Sequence, residues 1–183
     1  MSKTAIITGG AGFIGSNLVN RLLRDNYSKI CVLDNFSTGR KENLPLDDPR
    51  LHVIYIDITS DITSWPPLEA DELYHFAANA DVRGGQDDRD VDFHQNIVAT
   101  KNIADYARQQ CIPRVIFASS ATVYGEPSIY PTPENIELIQ TSMYGASKLC
   151  GESILQAYAN YGDFKLAVFR FVSWIGPGYS HGV

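Results

Sequence analysis

Tyr144 and Lys148 stand four residues apart in the run Tyr144-Gly145-Ala146-Ser147-Lys148. On a helix that spacing puts both side chains on one face. A phenol, with a pKa of about 10, is a poor base near neutrality, and a neighbouring ammonium favours its ionised form. Such a pair could take the proton of a hydroxyl while the carbon that bears it is oxidised. Two more hydroxyls open the run Ser119-Ser120-Ala121-Thr122-Val123-Tyr124-Gly125, directly after a continuous apolar stretch. A hydroxyl at the carboxyl end of a strand, where open α/β sheets place their ligands, can orient the same substrate oxygen.

The amino-terminal run Thr8-Gly9-Gly10-Ala11-Gly12-Phe13-Ile14-Gly15 follows an apolar stretch and opens a helical pattern. Gly9, Gly12 and Gly15 are spaced for a tight turn, an approach of bare main chain to a pyrophosphate, and close packing of helix on strand. The free N–H groups of the helix start then meet the anion. Nineteen residues after Gly15 comes Asp34, at the end of the next apolar run. A carboxylate there can accept hydrogen bonds from the adenosine ribose and repel a 2′-phosphate, which favours NAD over NADP.

These groups need a frame. Short apolar runs at Thr4–Thr8, Ile30–Asp34, Leu51–Asp57, Glu72–Ala77, Arg114–Ser119 and Leu166–Phe171 read as strands. Their continuous hydrophobicity suits burial on both faces. They alternate with helical patterns at 13–26, 88–110 and 142–162, with core stripes at Phe93, Ile97, Ala104 and Ala107 and at Ile154, Tyr158 and Tyr161. Residues 60–67 and 126–141, rich in proline, read as irregular connections. The pattern predicts an α/β, doubly wound parallel sheet, a Rossmann NAD-binding domain over 1–175. The chain stops at Val183, just past Gly176-Pro177-Gly178 and with no closing helix. That reads as truncation, with 176–183 starting a substrate-binding region that is otherwise absent.

Composition narrows the partners. A net charge of −6 over 183 residues argues against nucleic acid, which demands a basic face. No apolar run is long enough to span a membrane and no export signal opens the chain, so a cytoplasmic protein is expected. Cys31, Cys111 and Cys150 lack metal-ligand spacing and read as free thiols; no metal is expected.

Thr8–Gly15, Asp34-Asn35-Phe36-Ser37-Thr38-Gly39, His75-Phe76-Ala77-Ala78, Ser119–Gly125 and Tyr144–Lys148 together resemble the extended short-chain dehydrogenase/reductase family, in order and spacing along nearly the whole chain. Within that family the pattern is most similar to sugar-nucleotide 4-epimerases of the UDP-glucose/UDP-galactose type. The resemblance implies NAD as cofactor, a UDP-sugar as substrate and a homodimer joined through the helices at 88–110 and 142–162. It implies Ser120 as catalytic hydroxyl, Tyr144 as base and Lys148 as its partner. Phe13 and Ile14 would cover the pyrophosphate. Asp34, Asn35, Ser37, Thr38 and Gly39 would surround the adenosine, and Asp57 and Ile58 the adenine edge. Phe76, Ala77, Ala78, Ala80, Asn96, Ser119 and Val172 would line the rest of the cofactor. Ser120, Ala121, Thr122, Tyr144 and Ser173 would face the substrate.

Two departures matter. Sugar-nucleotide 4,6-dehydratases carry an Asp-Glu acid/base pair just before Val-Tyr-Gly, where this chain has Ala121 and Thr122, so elimination lacks its acid and epimerisation through a 4-keto sugar is favoured. Family members often read Arg-Tyr-Phe-Asn where this chain has Arg170-Phe171-Val172-Ser173, so the substrate contact of that Asn is lost or passes to Ser173. The alternatives are an NAD-binding module without turnover and a relative of the 4,6-dehydratases or decarboxylases. At this length the chain is expected to bind NAD and turn over little or nothing.

Overall fold

The computed structural model describes residues 2–79 and 88–176. Along the first strand, β1 (Thr4–Thr8), Ile6 enters one apolar cluster while Ala5 and Ile7 enter another. The second, β2 (Lys29–Asp34), divides likewise: Cys31 and Leu33 to one side, Ile30 and Val32 to the other. A strand with apolar side chains on both faces is stable only when both are covered. Four further strands, β3 (Leu51–Tyr55), β4 (Glu72–His75), β5 (Arg114–Ser120) and β6 (Lys165–Phe171), complete a six-stranded sheet. Every pairing is parallel, in the order β3-β2-β1-β4-β5-β6. That is the Rossmann order, and β1 and β4 flank the point where the winding reverses. The doubly wound α/β class expected from the sequence is the one observed.

The covering helices follow the same logic. The first, α1 (Phe13–Arg24), lays Val19, Leu22 and Leu23 on the cluster that holds Ile7 and Val32. A short α2 (Arg89–Asp92) runs into a π-helical stretch, Phe93–Val98, and then into α3 (Ala99–Gln109). With α4 (Met143–Asn160), α3 covers the opposite face: Ile103, Ala104, Ala107 and Leu155 pack in one cluster with Leu73, Val115 and Phe117. Ser142 caps α4, its side chain accepting from the Gly145 N–H at 3.0 Å.

Several boundaries depart from the sequence pattern. β3 ends at Tyr55 rather than Asp57, β4 at His75 rather than Ala77, and β5 reaches Ser120. Phe93, expected in the core stripe, is 47% exposed, because the wider π turn breaks the 3.6-residue period that placed it there. Tyr161 lies just past the end of α4 and is 81% exposed, whereas Ile154 and Tyr158 of the same stripe do pack against the core. All three cysteines are free thiols. Ala80 and residues 177–183 lie outside the described residues, and with them most of the expected 176–183 segment.

Phe117 ties the sheet to the helix that carries Tyr144 and Lys148. It is 1% exposed, its ring lies 5.5 Å from that of His75, and a Cβ on Gly151 of α4 would come within 2.9 Å of it. Phe117→Ala should lower the unfolding free energy by about 3–5 kcal/mol in urea titration. A loss below about 1 kcal/mol would contradict this packing.

Candidate active site at the carboxyl edge of the sheet

Gly9 turns the chain out of β1 with φ of +67°, a conformation that costs other residues energy. A Cβ there would also strike the backbone of Ala77 at 2.7 Å, so the end of β1 and the segment after β4 lie in contact. Gly15 meets the turn from the helix side: a Cβ on it would fall 2.2 Å from the Gly9 carbonyl oxygen. Gly12 is the N-cap of α1, and its open side has only that same carbonyl within reach of a Cβ, at 3.3 Å. The cap has no side-chain partner and the first turn carries no acidic residue. The amino end of α1 beside an open glycine fits a pyrophosphate. Phe13 and Ile14, half-buried, stand at this opening, and Gly176 approaches the Phe13 ring.

Asp34 is buried at the end of β2 and already committed to the backbone. Its Oδ2 accepts from the Ala11 N–H at 2.9 Å and its Oδ1 from the Phe36 N–H at 2.8 Å. The carboxylate thus staples the glycine turn to the segment after β2, and each oxygen keeps a lone pair for a ribose hydroxyl. Gly39 belongs to the same junction, since a Cβ on it would press on Ala11 and Asp34. Ser37 and Thr38 are exposed beside it, and the Ser37 N–H donates to Asn35 Oδ1 at 3.0 Å. Asp57 is exposed beyond β3. Burial works against its charge, but hydrogen bonds from Thr59 and Asn35 hold its carboxyl below the usual range. Ile58 is different: its side chain lies in the core and its carbonyl accepts from Asn102, so only its backbone borders this edge.

On the other side of the switch point β5 delivers Ser120, whose Oγ accepts from the Thr122 N–H at 3.2 Å and the Thr122 hydroxyl at 3.0 Å. A 3₁₀ turn, Ala121–Tyr124, comes next. The first turn of α4 brings Tyr144 to the same place. Burial raises the Tyr144 phenol above its ordinary value, the hydrogen bond with Ser120 pulls it down, and the Asp92 charge raises it. Lys148 is buried, donates to the Ala118 carbonyl at 3.1 Å, and lies 5.8 Å from the centre of the Tyr144 ring. Burial lowers its ammonium to about 8, against the pull of Asp92. Sequence spacing alone suggested a phenol activated by its lysine. Here burial outweighs the Ser120 hydrogen bond, so these side chains by themselves leave Tyr144 protonated at neutral pH.

The remaining candidates divide. Asn96 is buried under the loop after β4: its Oδ1 accepts from the Asn79 N–H at 2.8 Å and its Nδ2 donates to Ser147 at 2.8 Å and Asp92 at 3.1 Å. Phe76 and Ala77 give their N–H groups to the Thr8 hydroxyl, which leaves Phe76, Ala77 and Ala78 half-buried beside Gly9. Ser119 turns away from Tyr144. Its hydroxyl donates to Glu152, on which Arg170 forks through Nε at 3.0 Å and Nη2 at 2.8 Å, so only its backbone can border a ligand. Val172 and Ser173 are exposed past β6.

Residues 5–183 match the profile of the NAD dependent epimerase/dehydratase family. The chain belongs to that family. It is 34% identical over 176 residues to a putative UDP-glucose 4-epimerase of Methanocaldococcus jannaschii, covering 93% of this chain and 56% of the relative. It is 31% identical over 179 residues to UDP-glucuronic acid decarboxylase 3 of Arabidopsis thaliana, covering 94% and 51%. A crystal structure of a UDP-galactose 4-epimerase superposes with a TM-score of 0.89 at 38% identity, over 98% of this chain and 59% of that one. The chain thus spans a little over half the length of the relatives it matches. Among the described residues, no group of side chains could hold a metal ion and no helix is long and apolar enough to cross a membrane.

Two buried groups of this NAD dependent epimerase/dehydratase family member went unassigned in the sequence. Asp92 is one. His75 is the other, fully enclosed and bridging Thr8 Oγ1 at 2.8 Å and Thr100 Oγ1 at 3.0 Å. Its available signal was a histidine at the end of a buried strand level with Thr8 on its neighbour. Burial, aided by the Lys148 charge, lowers its imidazole from 6.5 to about 3. Between those values the unfolded chain binds a proton that the folded chain refuses, so this stability is full above pH 6.5 and is lost as pH falls toward 3. Between about pH 4 and 6, His75→Gln should flatten the pH dependence of the unfolding free energy by up to ~1.4 kcal/mol per pH unit. Equal slopes for the two proteins in urea titrations would contradict it.

Proposed function

We propose that this chain forms the cofactor-binding and proton-transfer part of an NAD-dependent sugar-nucleotide 4-epimerase, acting on UDP-glucose and UDP-galactose. One observation carries the reading: Ser120, Tyr144 and Lys148 meet at the carboxyl end of β5, while the neighbouring positions 121 and 122 hold alanine and threonine. The cofactor cradle supports it, because open glycine main chain, the α1 amino end and the Asp34 carboxylate fit a pyrophosphate followed by an unphosphorylated ribose.

The chemistry that NAD supplies when bound is the reversible uptake of hydride from the sugar's C4. The chain's own residues manage the proton. Ser120 orients the 4-hydroxyl, Tyr144 Oη, once ionised, takes its proton and returns it, and Lys148 provides the adjacent positive charge that favours the ionised form. Hydride supplied by the same bound cofactor to the opposite face of the sugar would invert C4, with Tyr144 restoring the proton. No carboxylate stands at 121 or 122 to protonate a leaving hydroxyl, which favours epimerisation over elimination. A homodimer in the cytoplasm completes the reading.

A second reading, a nucleotide-sugar decarboxylase, is favoured by the likeness to the Arabidopsis thaliana decarboxylase; it shares the oxidation at C4 and differs in the fate of the 4-keto sugar. The two are separated by product. Calorimetry on the 183-residue chain should show saturable NAD binding, and its absence would sink the cofactor assignment. In the full gene product, UDP-galactose should convert to UDP-glucose. Tyr144→Phe should slow this by roughly 10²–10⁴-fold while NAD binding persists. Release of CO2 from UDP-glucuronate without epimerisation would establish the second reading instead.

A further inference from the structure

Asp92, the last residue of α2, is completely buried. One carboxylate oxygen, Oδ1, accepts from Asn79 Nδ2 at 2.9 Å and from Asn96 Nδ2 at 3.1 Å. The other, Oδ2, is buried with no hydrogen-bond partner among the described residues. A buried carboxylate that is only half satisfied carries a large desolvation penalty unless a cation compensates it.

Among the residues whose side chains are described, Lys148 is the only lysine or arginine that is buried. Its single hydrogen bond goes to a neutral carbonyl. The acids nearby are otherwise engaged: Asp34 at the glycine turn, Glu72 with Tyr27, Tyr74 and Lys3 at the far end of the sheet, and Glu152 with Arg170 and Ser119. Asp92 is the anion whose field reaches Lys148. Tyr144 on α4 and the neutral His75 on β4 are the other titratable groups facing this lysine, and neither supplies negative charge at neutral pH.

We propose that Asp92 is a positioning residue of the Tyr144–Lys148 site: its buried carboxylate supplies the counter-charge that keeps Lys148 an ammonium, while Oδ1 orients Asn79 and Asn96. The second effect runs on through Asn96 to Ser147, whose hydroxyl also donates to the Tyr144 carbonyl at 2.8 Å, so one carboxylate aligns the loop after β4 with the first turn of α4. The inference rests on the proposed function only for the role given to Lys148.

The test reads Lys148 itself. In the chain labelled with ¹⁵N at lysine Nζ, with Lys148→Met to assign the signal, Lys148 should titrate near pH 8. Asp92→Asn keeps the Oδ1 acceptor and removes the charge, and it should lower that midpoint by about one unit or more, a roughly tenfold weaker hold on the proton. A folded Asp92→Asn protein with an unmoved midpoint overturns the proposal, because a purely structural aspartate would change thermal stability and leave the lysine alone. Should the variant not fold, the unsubstituted chain decides. The ¹³C signal of the Asp92 carboxyl should shift as Lys148 deprotonates; a signal blind to that step overturns it. Calorimetry adds a second readout, with NAD affinity at pH 7 falling several-fold in Asp92→Asn. If the unsubstituted chain fails to bind NAD, the functional reading falls and the titration result stands.

Discussion

Lys148 holds its charge where water does not reach, and much of the surrounding structure answers to that placement. An ammonium in a dry site needs acceptors and opposite charge, or it surrenders its proton. The carbonyl of Ala118 is available because β5 ends beside α4, and Phe117 offers its ring face 5.2 Å from the nitrogen. His75, stacked against the same ring, is kept neutral by the same burial and by the same lysine. Desolvation, hydrogen bonding and charge therefore form one coupled set spanning β4, β5, α2 and α4.

The sheet order makes this set adjacent to the glycine turn. Since β1 lies beside β4, the Thr8 hydroxyl reaches across the switch point, meeting His75 and accepting from Phe76 and Ala77. Gly9 then passes so close to Ala77 that no side chain fits between. The glycine turn and the Tyr144–Lys148 pair are thus held in one rigid arrangement by strand register.

How far the sequence could be read depended on whether a role is local. The glycine turn, Asp34 at its spacing and the Tyr144–Lys148 pair announce themselves, because each needs particular residue types at fixed separations along a single element. The alternating sheet was legible for the same reason. What stayed hidden involves residues distant in sequence: Ser119 reaching Glu152, His75 joining Thr8 and Thr100, and Asp34 bonding Ala11. The protonation state of Tyr144 is not legible in the sequence for a related reason. Spacing reveals proximity and says nothing of desolvation, which here is the larger influence.

The π-helical stretch at Phe93–Val98 has a consequence for how such chains diverge. It carries the chain from the turn that bears Asp92 and Asn96 into α3, which packs on the sheet. Loss of one codon between Asn96 and Ala99 would let the backbone relax to ordinary α-helical pitch and leave the flanking turns nearly in phase, because a π turn absorbs one extra residue. Ile103, Ala104 and Ala107 would keep their places in the core, and Asp92 would keep its side toward α4. A lineage could in this way lose a residue inside a buried helix and still inherit a folded protein.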